Sequence, residues 1–141
     1  MKKKYFFILL FCVSLSAISQ TNDQKNSASI TVDPRIIEVY ANQLDVLVLS
    51  DNQRLNDLND ILLKRTEIVV EKYRQDEKFL KLFSMPLFNK YNINLKKDTV
   101  FNVETFNVLK YNLEFFSKFD KVYRIDNTDF ILIIHPQTFN K

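Results

Sequence analysis

Glycine is absent from the sequence, although ordinary usage of about 7% would place it at roughly ten of the 141 positions. Phosphate-binding loops of nucleotide and dinucleotide sites need glycine so that the backbone can approach the phosphates, and the nucleophile elbow of many hydrolases needs it in a strained turn. The standard forms of these sites are therefore excluded. Asparagine, which also tolerates positive φ, occurs at 14 positions and is expected to occupy the turns.

Cysteine and histidine occur once each, as Cys12 and His135. Loss of an N-terminal leader containing Cys12 leaves no thiol for disulfides, nucleophilic catalysis or metal binding. Any histidine-centred triad needs a nucleophile and an orienting group beside His135, and no pattern in the sequence places them there. We therefore interpret His135 as a strand-end residue, bonded to backbone or exposed at the rim, and we predict no catalytic residues, metal site or cofactor.

The first 19 residues have the three parts of a secretory signal peptide. A positive start at residues 2–4 is followed by an apolar run from Tyr5 to Val13, and residues 14–19 become small and more polar. As a helix, the apolar stretch counted generously to Ile18 is roughly 21 Å long at about 1.5 Å per residue. A bilayer core is about 30 Å thick, so this segment is too short for a stable span.

We expect cleavage between Ser19 and Gln20, because Ala17 and Ser19 supply small side chains at the −3 and −1 positions. Lipid attachment at Cys12 is the competing interpretation. It is disfavoured because bulky residues, rather than small ones, precede the cysteine, which we take as a hydrophobe within the leader. These features predict a periplasmic or secreted protein with no membrane span after cleavage.

The positive charge of the chain belongs to the leader. The formal net charge of +3 comes from 20 Lys and Arg against 17 Asp and Glu. Three of the lysines lie in the leader, so the mature chain has 17 of each sign and is neutral. The charge therefore gives no support for binding nucleic acid or anionic lipid.

Composition divides the rest of the chain into two parts. Residues 20–29 are polar and lack apolar periodicity, so we predict a flexible segment. Residues 30–141 are rich in apolar side chains and suit one small domain with a single core. No internal repeat or second linker divides this part further.

Helix signals dominate the first half of the domain. Asp33 is a candidate N-cap followed by Pro34, and Asp51 is a candidate N-cap for a second helix, so the two predict a helical hairpin. Farther on, residues 105–116 place apolar side chains at steps of three, four and three, which predicts another helix. The four side chains on its apolar face are Phe106, Leu109, Leu113 and Phe116.

Strand signals follow the helical hairpin and end the chain. Residues 66–73 are rich in β-branched side chains, and residues 121–125 and 130–136 flank a turn of the sequence DNTD. Phe130 to Ile134 are apolar on both faces, as in a central strand. The sequence predicts an α+β fold in which a small, largely antiparallel sheet, the C-terminal hairpin plus one further strand, packs against three or so helices.

The acidic residues Asp51, Asp57 and Asp60 offer three interpretations. A calcium site lacks the full ligand series and its required glycine, and a pair of catalytic carboxylates needs a cleft that the spacing does not specify. We favour the third interpretation, in which Asp51 caps a helix and Asp57 and Asp60 lie on its solvated face.

Twelve aromatic residues lie between Phe79 and Phe130, and most are expected in the core. Tyr91 lies in a polar loop, and Tyr111 and Phe115 lie partly off the apolar face of the helix predicted over residues 105–116. Aromatic side chains suit interface anchoring, since they combine large apolar area with few rotatable bonds. We therefore predict a partner-binding surface at Tyr91, Tyr111 and Phe115.

The sequence as a whole favours a non-enzymatic function. Export, neutral charge, missing catalytic constellations and abundant aromatics predict a small soluble protein-interaction or accessory subunit of the bacterial cell envelope, whose partner is another envelope protein. The alternative is a binding domain for a small ligand, glycan or peptide, which predicts a concave apolar pocket. An enzyme of unfamiliar type, using His135 or carboxylates, is the least favoured.

Signal-peptide cleavage predicts the mass of the native protein. Intact-mass and N-terminal peptide analysis of protein purified from the envelope fraction of its native cells should give a chain beginning at Gln20. A cytosolic chain that retains Met1, or an acylated Cys12 at the new terminus, would contradict the leader interpretation.

Overall fold

The computed structural model describes residues 31–137, in which two α-helices precede a four-stranded mixed sheet. This architecture is α+β, so the predicted class is confirmed. The predicted signal peptide, its cleavage site, Cys12 and the polar segment 20–29 lie outside the described residues, as do residues 138–141.

Helix α1 spans Pro34–Tyr40 and begins as its sequence predicts. The Asp33 carboxylate accepts a hydrogen bond from the Arg35 backbone N–H at 2.9 Å, and Pro34 occupies the first helical position. The helix ends where Ala41 adopts a φ of 44°, a value that normally favours glycine. A 3₁₀ turn at Ala41–Gln43 and a π-helical turn at Asp45–Leu49 then lead into the second helix.

Helix α2 spans Asn52–Leu63, and the predicted cap at Asp51 is confirmed. The Asp51 side chain accepts a hydrogen bond from the Arg54 backbone N–H at 3.1 Å. The apolar face that points into the core consists of Leu55, Leu58, Ile61 and Leu62.

The sheet has the strand order β1-β4-β3-β2. Its strands are β1 (Thr66–Val70), β2 (Leu80–Lys81), β3 (Lys121–Arg124) and β4 (Phe130–Ile134). Strand β4 pairs antiparallel with both β1 and β3, so that Ile134 lies opposite Thr66 on one side and Lys121 on the other. Strand β2 adds a parallel pair with β3, which makes the sheet mixed.

A buried ion pair holds the connection between β1 and β2 against the sheet. The guanidinium of Arg124 donates to both carboxylate oxygens of Glu77, at 2.7 and 2.5 Å, and to the Glu71 backbone carbonyl at 2.6 Å. The rings of Tyr73 and Phe79 lie over the same guanidinium. The hydrogen bond from Arg124 lowers the pKa of Glu77, so this contribution to stability is present at neutral pH and is lost as pH falls through the folded-state pKa.

The prediction of a helix over residues 105–116 is wrong. Only Val108–Lys110 forms a 3₁₀ turn, and residues 110–112 run beside residues 86–88 with backbone hydrogen bonds from Phe88 N–H to Lys110 O at 2.7 Å and from Asn112 N–H to Pro86 O at 2.8 Å. The physical reason is burial on every side. Residues 106–111 are all buried, including the polar Asn107 and Lys110, whereas an amphipathic surface helix keeps its polar face in water.

Asn107 anchors residues 106–113, most of which are buried, to α1. Its side chain is 1% exposed and donates to the Arg35 carbonyl at 2.8 Å and to Glu38 Oε2 at 2.9 Å. Its Oδ1 accepts from the Leu109 backbone N–H at 3.0 Å, which begins the 3₁₀ turn. One amide group therefore fixes both the position and the local conformation of the stretch.

A second anchor consists of Lys110, Tyr111 and Asp98. Lys110 Nζ donates to Asp98 Oδ1 at 2.6 Å, and the Tyr111 hydroxyl donates to Asp98 Oδ2 at 2.9 Å. Glu38 lies 3.6 Å from the same lysine nitrogen. These contacts give the buried ammonium group of Lys110 carboxylate partners, and they connect residues 106–113 to the loop that contains Asp98.

Replacement of Asn107 tests the anchor. Asn107→Ala removes both donated bonds and the turn-initiating acceptor, so we expect a loss of about 1–3 kcal/mol in the free energy of unfolding. Urea denaturation followed by circular dichroism measures the change. Asn94→Ala, at an exposed position, is the control and should change stability by less than about 0.5 kcal/mol. Equal effects from the two variants would contradict the anchoring role.

Candidate functional site

A half-open cleft of about 540 Å³ lies between α2 and residues 106–113 with their continuation to Phe116. Its volume falls within the range of sites that bind small ligands or single side chains with their flanking chain, about 300–1,000 Å³. The first turns of α2 form one side and residues 109–116 the other. The end of α1 and residues 88–91 close the cleft.

The floor of the cleft is apolar. Its buried side chains come from both helices and from the stretch pinned by Asn107, and they are Val39, Leu58, Ile61, Leu109 and Leu113. Their placement follows from the fold, because each of these residues belongs to the hydrophobic core and presents one surface to the cleft. An occupant therefore meets core-like apolar surface at the bottom of the site.

Three aromatic rings form one wall. The rings of Tyr40 and Tyr91 stack with their centres 5.2 Å apart and their planes at 20°, and the ring of Phe88 meets Tyr91 edge-on at 5.5 Å. The Asn92 side chain donates to the Glu38 carbonyl at 2.8 Å, which fixes this loop against α1. These contacts stiffen the wall, because each ring is supported by another ring or by the helix.

The opposite lip carries Phe115 and Phe116. Phe115 is half-buried against the core, whereas Phe116 is 73% exposed. The backbone of this lip is held from behind by Arg65, whose Nη2 donates to the Phe115 carbonyl and whose Nε donates to the His135 carbonyl at 3.1 Å. An exposed phenylalanine thus stands on a braced backbone at the entrance of the cleft.

Arg65 is itself buried, with 6% of its surface exposed. Burial lowers the pKa of its guanidinium, against the opposing charges of Asp60 and Asp57. Among residues 31–137, its Nη1 has no hydrogen-bond partner. Burial of this cation carries an energetic cost, so the position of the lip depends on the hydrogen bonds that Arg65 does make.

Polar groups line the rim of the cleft. They are Asp51, Gln53, Arg54, Asp57 and Asn112. Arg54 Nη1 donates to the Leu47 carbonyl at 2.9 Å, while Asp57 Oδ1 accepts from Gln53 Nε2 at 2.8 Å and lies 3.4 Å from Gln137 Nε2. Each of these side chains ends in a planar group with more than one hydrogen-bonding atom, so the rim has capacity left for an occupant.

The three residues predicted to bind a partner, Tyr91, Tyr111 and Phe115, all line this cleft. Tyr91 and Phe115 are half-buried on opposite sides. Tyr111 is 0% exposed, and burial raises the pKa of its hydroxyl, which donates to Asp98. Tyr111 therefore belongs to the inner support of the cleft. The role of the three in binding a partner stays a prediction.

Sequence reasoning missed Tyr40, Phe88 and Phe116 as cleft residues. Phe116 is predicted to lie on the apolar face of a helix over residues 105–116, and that helix does not form. No local signal brings Tyr40 and Tyr91 together, because they are distant in the chain and meet only after α1 and the loop at residues 88–91 have packed.

The acidic residues of α2 separate into different roles. Asp51 caps the helix, and Asp60 accepts a hydrogen bond from Lys64 at 2.7 Å in an exposed pair. Asp57 bonds to neutral amides. Within residues 31–137, no three His, Cys, Asp or Glu side chains are grouped so as to hold a metal ion.

His135 lies directly after β4 and outside the residues that line the cleft. Its Nδ1 is 3.1 Å from Asp120 Oδ1, and its Nε2 is 3.4 Å from Glu67 Oε2. Hydrogen bonding to Asp120, and secondarily to Glu67, raises the pKa of His135 above its ordinary value of 6.5. His135 is half-exposed just beyond the end of β4, and its two contacts join β1 to the segment before β3.

Comparison of the chain with protein-family models, with curated proteins and with solved structures finds no match. In the part of the chain from residue 31 to residue 137, none of the helices combines the length and apolar character that a membrane crossing requires.

The raised pKa of His135 predicts a titration midpoint above that of a free histidine. Because the chain has a single histidine, its ring resonances in NMR are unambiguous, and their midpoint should lie above 6.5. The bridges to Asp120 and Glu67 stabilise the fold fully below pH 6.5, and this contribution is lost as pH rises through the folded-state pKa.

Asp120→Asn should move the midpoint downward, toward that of a free histidine. Asp76→Asn makes the same charge change at an exposed position and is the control. A midpoint at or below 6.5 in the wild type, or an equal response to both substitutions, would contradict the paired geometry.

Proposed function

We propose that the protein is an exported, non-enzymatic binding module of the bacterial cell envelope, and that its cleft receives a segment of another envelope protein. The observation that carries the proposal is the combination of an apolar floor, a braced aromatic wall and an exposed Phe116 at the entrance. Interfaces draw most of their affinity from bulky side chains that fill desolvated pockets, and this cleft is such a pocket.

The exposed aromatic surface next to the cleft favours a protein segment over a small compact ligand. Phe116, which lines the cleft, is 73% exposed, so its apolar surface extends outside the enclosed volume. A chain that places one bulky side chain on the floor can lay neighbouring residues across this lip. The rim amides of Gln53 and Asn112 suit the backbone N–H and C=O groups of such a chain.

A small ligand or glycan is the second candidate, and the cleft itself favours it. The volume of the cleft suits a small molecule, and aromatic rings line it. The polar side chains at the rim each carry more than one hydrogen-bonding atom. The two candidates differ in how much surface they contact. A small ligand needs only the enclosed volume, whereas a protein segment also contacts the exposed lip.

The position of His135 supports a non-enzymatic role. A general base acts on a group within hydrogen-bond reach, and His135 is absent from the lining of the cleft. Its two carboxylate contacts join structural elements. The proposal therefore assigns His135 to the fold and the cleft to binding.

Site-specific crosslinking in native cells tests the proposed function. A photoreactive benzoyl-phenylalanine in place of Phe116 should give a discrete crosslinked product with another envelope protein. The same group at Val103, which is exposed and does not line the cleft, should not give that product.

A variant that obstructs the cleft identifies the site. Asn112→Trp places a large ring at the rim and should abolish the product from position 116, whereas Asn56→Trp, on an exposed part of α2, should leave it unchanged. Identical products from positions 116 and 103, or a product that survives Asn112→Trp, would contradict binding in the cleft.

A further inference from the structure

The residues that line the cleft include more negatively charged side chains than positively charged ones. Two carboxylates, Asp51 and Asp57, and one guanidinium, Arg54, face it. Within residues 31–137, neither carboxylate forms an ion pair with a lysine or arginine side chain. The lining thus carries an excess of one negative charge, in a site otherwise built of apolar and aromatic groups.

The bonds of these groups preserve that excess. Arg54 Nη1 is engaged by the Leu47 carbonyl at 2.9 Å, so the one lining cation has an acceptor of its own. Within residues 31–137, the hydrogen bonds that Asp57 accepts come from neutral amide donors, from Gln53 at 2.8 Å and from Gln137 at 3.4 Å. Arg65, buried behind the lip, lies beyond ion-pair distance of both carboxylates. Within residues 31–137, the carboxylate of Asp57 therefore faces the cleft without a direct ion pair, and its charge acts on the Arg65 guanidinium only from a longer distance.

The aromatic wall also favours cations. The faces of aromatic rings carry negative potential and attract ammonium and guanidinium groups. One ring of this wall already has a cation beside it, since Lys90 Nζ lies 5.3 Å from the centre of the Tyr91 ring. Tyr40, Tyr91 and Asp57 all line the cleft, so a cation bound there has both aromatic rings and a carboxylate among the lining groups.

We propose that the segment bound in the cleft carries a cationic group, a lysine or arginine side chain, next to the bulky apolar side chain that fills the floor. This inference rests on the proposed function and adds the chemical class of the occupant. The apolar anchor supplies the burial, and the cation supplies selectivity against neutral and acidic segments of similar shape.

Three small probes that share a phenyl ring on a two-carbon chain test the charge preference: phenethylammonium, phenethyl alcohol and 3-phenylpropionate. Each is titrated into the isotope-labelled protein, and binding is followed by the amide NMR signals of Asn112, Phe115 and Phe116. The cation should bind about two- to fivefold more tightly than the alcohol, as expected for one partly exposed ion pair, and the anion should bind most weakly.

Asp57→Asn identifies the source of the preference. Asparagine keeps an acceptor for Gln53, so the variant should fold and should bind the cation no more tightly than the alcohol. Asp76→Asn removes the same charge at an exposed position outside the cleft and should keep the preference. Added salt should reduce the preference, because the charges are partly exposed.

The outcomes separate this inference from the proposed function. Equal binding of all three probes at the cleft, or tighter binding of the anion, overturns the charge preference and leaves the cleft as a binding site. A preference that survives Asp57→Asn overturns the role of the carboxylate. Absence of any perturbation at the cleft signals, for all three probes, overturns both the inference and the proposed function.

Discussion

The amide of Asn107 is the contact on which the rest of the domain depends. It ties residues 106–113 to the carbonyl of Arg35 and the carboxylate of Glu38, and the Asn107 side chain itself is almost fully buried. A buried amide whose donors and acceptor are all bonded is favourable, but the same amide with its partners removed is costly. The stretch therefore has one low-energy position against α1. The floor of the cleft, at Leu109 and Leu113, is a consequence of that position.

In other parts of the domain, hydrogen bonds from side chains to backbone groups hold segments in place. In many small domains, glycine turns and regular backbone ladders have that role. The carboxylate of Asp126 accepts from the Phe83 N–H at 2.8 Å, the Tyr123 hydroxyl accepts from the Glu114 N–H at 3.2 Å, and Arg124 donates to the Glu71 carbonyl at 2.6 Å. Each bond joins the sheet or its turn to a residue outside α1, α2 and the four strands. Because such segments have few backbone ladders of their own, these long-range contacts decide where they lie.

Local chemistry explains which parts of the fold were predictable from sequence. Asp33 and Asp51 mark helix starts because their side chains accept hydrogen bonds from backbone N–H groups two or three positions away, and Pro34 does so because its φ is fixed near the helical value. Asn127 adopts a φ of 57° in the turn before β4, as expected where glycine is lacking. The error over residues 105–116 has a tertiary cause. An apolar spacing of three and four is compatible with a helix, but it does not show that Asn107 and Lys110 are also buried. Tyr91 and Phe115 were found through their composition, whereas their shared cleft required the packed structure.

The conformation of residues 105–116 in solution tests the account most directly, because the cleft exists only if this stretch is extended and pinned. NMR assignment should give non-helical Cα shifts across these residues, and nuclear Overhauser contacts from the Asn107 side-chain amide protons to Arg35 and Glu38. Uniform helical shifts with sequential amide contacts from Thr105 to Phe116, and no contact between Asn107 and α1, would contradict it. In that case the floor of the cleft and the binding role built on it are both lost.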